Sequence, residues 1–131
     1  MSGLRVLLAD DEQDILETIG TRIESWGYDL LTALDGDRAL EIVNSGKPDI
    51  VVLDYLMPKK NGLVTLKALR KINRDIPVIM FTAYSDEKSI KGAENLGVIA
   101  FVPKISAYSD SQQALRAALG MAEKTIVRED I

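Results

Sequence analysis

Residues Ile50-Val51-Val52-Leu53 form an unbroken apolar run rich in β-branched side chains, bounded by Pro48 before it and by Pro58 and Gly62 after it. A run with no polar residue on either alternation suits a strand covered on both faces, the condition of a central strand in a parallel sheet. Asp54 ends it. In open α/β sheets the carboxyl ends of the strands face the ligand crevice, so a carboxylate at that position is placed for chemistry. Aspartate at a strand end is also a common turn or capping residue, and taken alone Asp54 favours that role.

The rest of the chain repeats the pattern. Residues 4–9 are a first apolar strand stopped by Asp10-Asp11-Glu12, and a helix follows with Leu16, Ile19, Ile23 and Trp26 at helical spacing and Gly27 as its stop. Residues 28–34 are a less apolar strand that belongs near a sheet edge. Asp35-Gly36-Asp37 opens a helix over 38–45, closed by Gly46 and Pro48. After the central strand, Leu63, Val64, Leu66, Ala68, Leu69 and Ile72 define an amphipathic helix that carries Lys67, Arg70 and Lys71 outward. Residues 76–81 form a fourth strand ending at Thr82, and Ser85-Asp86-Glu87 starts a capped helix that Gly97 stops. Residues 98–102 form the fifth strand, ending at Pro103-Lys104. The last helix, over 109–124, turns Ala114, Leu115, Ala118, Leu119 and Ala122 inward. Lys88, Lys91, Gln112 and Arg116 read as a solvated face.

Five strands alternating with five helices predict an α/β fold, a doubly wound parallel sheet with helices on both sides. At 131 residues and 47% hydrophobic, the chain fits one domain, residues 1–124, followed by a short tail over 125–131. A net charge of -4 and a pI near 4.8 argue against direct binding of nucleic acid, which needs a dense basic face. With no cysteine and no histidine, thiolate and imidazole ligands are excluded, and a metal must sit on oxygen atoms. The chain opens on no secretory leader and has no apolar run long enough to cross a bilayer, so a cytoplasmic protein without membrane insertion is expected.

Parallel strands deliver their carboxyl ends to one rim, so Asp10, Asp11, Asp54, Thr82 and Lys104 should converge there. Crowded carboxylates repel unless a cation intervenes, and an all-oxygen donor set suits magnesium, with manganese as the alternative. Such a site fits phosphoryl transfer, with Asp54 as nucleophile, Lys104 paired to a phosphoryl oxygen and the Thr82 hydroxyl donating to another. Singly, Lys104 is more simply a surface lysine and Thr82 a loop cap; four strand ends carrying the required residue types make coincidence the poorer account.

These pieces resemble the receiver domain of two-component response regulators over residues 4–123. The match lies in the acidic pair Asp10-Asp11, in Asp54 followed by Met57-Pro58 and Gly62, in Thr82-Ala83, and in Phe101 three residues before Lys104. The resemblance implies a flavodoxin-like sheet with strand order 2-1-3-4-5. It also implies that Asp54 is the phosphoacceptor for a phosphoryl group from a sensor histidine kinase or a histidine phosphotransfer protein. Magnesium would be held by Asp10, Asp11, Asp54 and the Leu56 backbone carbonyl, and Thr82 and Phe101 would form a conformational switch read by a protein target. The implied protein is a signalling domain rather than a turnover enzyme, a monomer or a phosphorylation-dependent dimer. The chain departs from the family pattern in carrying Pro103 before Lys104 and Ile105 after it, where proline commonly follows the lysine. A cis bond before Ile105 would cost about 2.5 to 4 kcal/mol, so a trans peptide or a rearranged loop is expected there. Leu56 and Tyr84, both bulky, would shield the phosphoryl group from water and give slow self-dephosphorylation.

Two other functions are compatible with parts of the pattern. A small-molecule phosphotransferase or phosphatase with an aspartyl nucleophile, as in haloacid dehalogenase-like enzymes, wants a second aspartate where Leu56 stands. A flavin protein would need a Gly-rich phosphate loop after the first strand, where Asp10-Asp11-Glu12 stands instead.

Overall fold

The computed structural model describes residues 3–57, 59–83, 86–104 and 108–129. The expectations that fall on Pro58, Tyr84, Ser85 and the Lys104–Ile105 peptide concern residues outside these. The elements are β1 (Arg5–Ala9), α1 (Gln13–Ser25), β2 (Asp29–Ala33), α2 (Gly36–Asn44), β3 (Ile50–Leu53), α3 (Gly62–Ile72), β4 (Val78–Thr82), α4 (Glu87–Asn95), β5 (Ala100–Pro103) and α5 (Tyr108–Glu129). All strand pairs are parallel, in the order β2-β1-β3-β4-β5. This is the order the family resemblance implies, with β2 at one edge as its weaker apolar character suggests.

The central strand explains why the sheet needs helices on both sides. All four residues of β3 are fully buried, and their alternation divides them between two cores. Val6, Leu8, Ile50, Val52, Ile79 and Phe81 point to one side, where Leu16, Ile19 and Ile23 of α1 and Leu115 and Leu119 of α5 cover them. Leu7, Ala9, Val51, Leu53, Val78 and Met80 point to the other side, against Ala39 and Val43 of α2, Leu66 and Leu69 of α3, and Ala93 of α4. Truncating any of the fully buried leucines to alanine costs roughly 2–5 kcal/mol by lost transfer energy and the cavity left behind.

Local chemistry fixes the helix starts. The side chains of Asp35, Asn61 and Asp86 accept from the N–H of Arg38, Val64 and Ser89 at 2.8, 2.9 and 2.6 Å. Each such cap is worth about 1 kcal/mol.

Several side chains do not face as the helical pattern predicts. Arg70, expected outward on α3, is half-buried and hydrogen-bonded to backbone carbonyls of the neighbouring segments. On the same helix Val64 and Ile72 remain 47% and 43% exposed. On α5 the buried stripe runs through Ser111, Gln112, Leu115, Ala118, Leu119 and Ala122, which leaves Ala114 in solvent and takes Gln112 inside. The helix continues past Lys124 to Glu129, with Ile126 packed against the α1/α5 core and Glu123 accepting from the Tyr28 hydroxyl at 2.9 Å.

The turn that returns from Asp54 to α3 is tight. The N–H of Gly62 donates to the Tyr55 carbonyl at 2.6 Å, and a Cβ at position 62 would lie 2.6 Å from the Tyr55 Cα and closer still to the Asp54 carbonyl. Both obstacles are backbone, so neither can swing aside. Gly62→Ala is therefore expected to destabilise the protein by roughly 1–3 kcal/mol, as overpacking does. In an unobstructed helix the same change would stabilise by about 1 kcal/mol. The sign of the shift in the urea unfolding midpoint checks this.

Candidate functional site

Each site residue is held by the backbone of its strand. The N–H of Asp10, one residue past β1, donates to the Ala33 carbonyl, and the N–H of Asp54, one residue past β3, donates to the Ala9 carbonyl, both at 3.0 Å. The N–H of Lys104, one residue past β5, donates to the Thr82 carbonyl at 2.8 Å. The register of the parallel ladders thus puts these side chains on one edge of the sheet, as the sequence predicts.

There they meet. The Lys104 Nζ donates to Asp10 Oδ2 at 2.5 Å and to Asp54 Oδ2 at 3.2 Å, and lies 3.6 Å from Glu12 Oε1. Its ammonium also sits 5.8 Å from the centre of the Phe81 ring. Asp10 is fully buried and Asp54 is 4% exposed, whereas Asp11 and Glu12 stand in solvent at the mouth. One oxygen from each of Asp10, Asp11, Glu12 and Asp54 falls within 4.8 Å of the others. Asp11, Glu12, Asp54, Leu56, Ala83 and Lys104 line a cleft of about 340 Å³. Leu56 is half exposed there, and its N–H approaches Asp54 Oδ1 at 3.4 Å.

Burial pushes the Asp10 carboxyl up to about 6, and the Asp54 charge adds to this; the Lys104 hydrogen bond and the Glu12 N–H, which donates to Asp10 Oδ1 at 2.9 Å, oppose it. Burial alone would lower Lys104, but the hydrogen bonds and charges of Asp10 and Asp54 outweigh it and hold the ammonium above its ordinary value. Four carboxylates against one ammonium leave the cleft short of positive charge. A hard divalent cation fits that deficit and this all-oxygen donor set.

Thr82 is fully buried at the end of β4. Phe101 pairs in register with Met80 and packs on the side of the sheet covered by α2, α3 and α4. Alternation puts Thr82 on that same side, two residues beyond Met80. The loop after Asp54 includes Lys59 in the left-handed region at φ 68°, and Lys60 Nζ ties the loop to α2 through Asp37 Oδ1 at 2.7 Å. A non-glycine residue in that region is strained, and such residues gather at functional loops. Sequence reasoning assigned no role to Glu12. Its signal was available in the unbroken acidic triplet and in its place at the N-cap of α1, where its side chain makes no capping bond. A larger groove of about 510 Å³ between α1 and α5, lined by Arg22, Trp26, Gln112, Gln113 and Arg116, contains neither a nucleophile nor an acidic cluster.

Comparison with known proteins agrees with this geometry. The family model of the response regulator receiver domain matches residues 6–117, and the chain belongs to that family. A probable transcriptional regulator, ycf27 of Porphyridium aerugineum, is 37% identical over 125 residues, covering 95% of this chain and 51% of that protein. The chain spans about half the length of the curated relatives it matches. Among solved structures, the receiver domain of the Francisella response regulator 1452 superposes with a TM-score of 0.79 at 31% identity, covering 94% of this chain and 99% of that one. CheY of Borrelia burgdorferi, solved with CheX, beryllofluoride and magnesium, superposes with a TM-score of 0.79 at 26% identity, covering 90% of each chain.

The Asp10 shift has a sign that can be tested. A carboxyl whose pKa rises on folding holds its proton more tightly in the fold, so its contribution to stability is intact below the unfolded value of 3.8 and is lost as pH rises through about 6. With a chelator present, stability against urea should therefore fall as pH rises across that window, by up to about 3 kcal/mol. Asp10→Asn should remove that slope.

Proposed function

We propose that Asp54 accepts a phosphoryl group from a phosphohistidine on a sensor histidine kinase or a histidine phosphotransfer protein. The observation that carries this reading is the Lys104 ammonium held between the buried carboxylates of Asp10 and Asp54 in the cleft. An Asp54 carboxylate oxygen attacks phosphorus, a P–O bond forms, the P–N bond breaks, and the imidazole leaves with the electron pair. Lys104 pairs with one oxygen of the transferred group as a compact charge. When bound, magnesium, or manganese on the same donors, would be held by Asp10, Asp11, Asp54 and the Leu56 carbonyl and would supply charge neutralisation.

Thr82 and Phe101 form the switch pair. The Thr82 hydroxyl turns toward a phosphoryl oxygen and the Phe101 ring takes up the vacated space on the same side of the sheet, which repacks the surface made by α4, β5 and α5. A protein target reads that surface. The chain is a signalling domain rather than a turnover enzyme, and among the described residues no helix is long and apolar enough to cross a membrane. We assign it to the cytoplasm as a monomer that can dimerise on phosphorylation. The Borrelia CheY complex was solved with beryllofluoride and magnesium; bound to an oxygen, beryllofluoride is a tetrahedral anion of phosphoryl size, so its presence there supports the phosphoacceptor reading.

Labelled acetyl phosphate with magnesium should place one base-labile phosphoryl group on each chain and none on Asp54→Asn. Steady turnover of free phosphoesters would overturn this reading in favour of an aspartyl phosphatase. With the Leu56 side chain at the cleft mouth, the label should persist for minutes in a chase; loss within seconds would contradict the shielding.

A further inference from the structure

We propose that the groove between α1 and α5 is a second binding site, one that takes a small organic anion: a phosphate or carboxylate carried on a flat unsaturated ring. The inference does not depend on phosphoryl transfer at Asp54, since the groove and the cleft share no lining residue.

The walls are Arg22 and Trp26 from the end of α1, and Gln112, Gln113, Arg116 and Ala117 from α5. No acidic residue lines the groove, although the chain carries 20 acidic against 16 basic residues. Among the described residues neither arginine has a carboxylate within ion-pair distance, whereas Arg5, Arg38, Lys60, Lys91 and Lys104 all do. Two guanidiniums without counter-charge at one hollow are a donor set for an anion. Each can hold a phosphate or a carboxylate through a pair of parallel N–H bonds.

Gln112 points to a ligand independently. It is only 8% exposed, on the stripe of α5 where Leu115 and Leu119 are fully buried, and its side-chain Nε2 has no hydrogen-bond partner. A buried amide donor without an acceptor is costly, and a leucine at that position would avoid the cost. Because Gln112 also lines the groove, an acceptor carried in by a ligand is the partner that the fold itself withholds.

The remaining wall sets the shape of the ligand. The Arg116 guanidinium carbon lies 5.8 Å from the centre of the Trp26 ring, a cation over an indole. Flat surfaces of this kind suit a planar ring, and with Ala117 as the one aliphatic lining residue a branched aliphatic ligand would find little to pack on. The volume of about 510 Å³ falls within the range of about 300–1,000 Å³ usual for small-molecule sites and is more than an inorganic ion fills.

Trp26 is the only tryptophan, so its indole N–H gives a single NMR resonance that reports on the groove. Adenosine 5′-monophosphate and 2-naphthoate, a phosphate and a carboxylate on flat rings, are titrated separately without magnesium. At least one should shift this resonance and the Gln112 side-chain amide saturably, with a Kd below about 1 mM, and leave the Asp54 amide in place. Which of the two binds more tightly tells phosphate from carboxylate. Adenosine and inorganic phosphate, each carrying half of the chemistry, should bind at least about tenfold more weakly. Arg22→Gln and Gln112→Leu should each weaken binding about tenfold while the amides of residues 7, 8, 51 and 52 stay in place, which reports an intact sheet. Asp54→Asn should bind as the wild type does. No saturable shift from either probe up to about 10 mM would overturn the proposal. So would equal binding of inorganic phosphate, unchanged affinity in Arg22→Gln, or a response at the Asp54 amide in place of Trp26. If Gln112→Leu does not fold, Arg22→Gln, at an exposed position, decides the matter.

Discussion

The site depends on one ammonium between two buried carboxylates. Lys104, Asp10 and Asp54 come from three different strands, and each is anchored through its own backbone N–H to the neighbouring strand. The sheet therefore fixes the separation of the charges, and they cannot relax apart to ease their repulsion. Such an arrangement does little for stability: desolvation of buried ions offsets most of their attraction, and an apolar trio of similar volume would serve the fold as well. The upward shift of Asp10 expresses that cost. Strained electrostatics of this kind are found where chemistry needs them, and here the strain has one outlet, the arrival of further positive charge from solvent.

The backbone around Asp54 is equally constrained. Gly62 sits against the Asp54 carbonyl and the Tyr55 Cα, so the start of α3 and the end of β3 form one rigid corner. In the loop between them Lys59 lies in the left-handed region. The corner holds the backbone of Asp54 with little freedom, the kind of pre-organisation that the proposed phosphoryl transfer calls for.

Much of this was legible in the residues. Runs such as Ile50 to Leu53 announce a strand buried on both faces, and the polar residue that ends each run names the crevice. The strand order needed the family resemblance, because apolar runs carry no information about which strand lies beside which. Facing on the helices was read less well, for a physical reason. Arg70 looks solvated because arginine usually is, yet its flat cation finds several unsatisfied carbonyls gathered at two helix ends, a partner set created only by the tertiary fold. Ala114 and Gln112 trade places against expectation because alanine is tolerated on either side, whereas the phase of α5 is set by Leu115 and Leu119. Glu12 is masked in the sequence by the acidic pair before it, which already accounts for the chemistry.

The alternation along β4 and β5 has a further consequence. Phe81 and Val102 belong to the layer under α1 and α5, while their neighbours Met80 and Phe101 belong to the layer under α2, α3 and α4. The sheet stands between the two layers, so side chains of one layer do not pack among side chains of the other. Substitutions drawn from opposite layers should then combine additively, since they share no packing partners. A substitution confined to one layer therefore leaves the side-chain packing of the other in place.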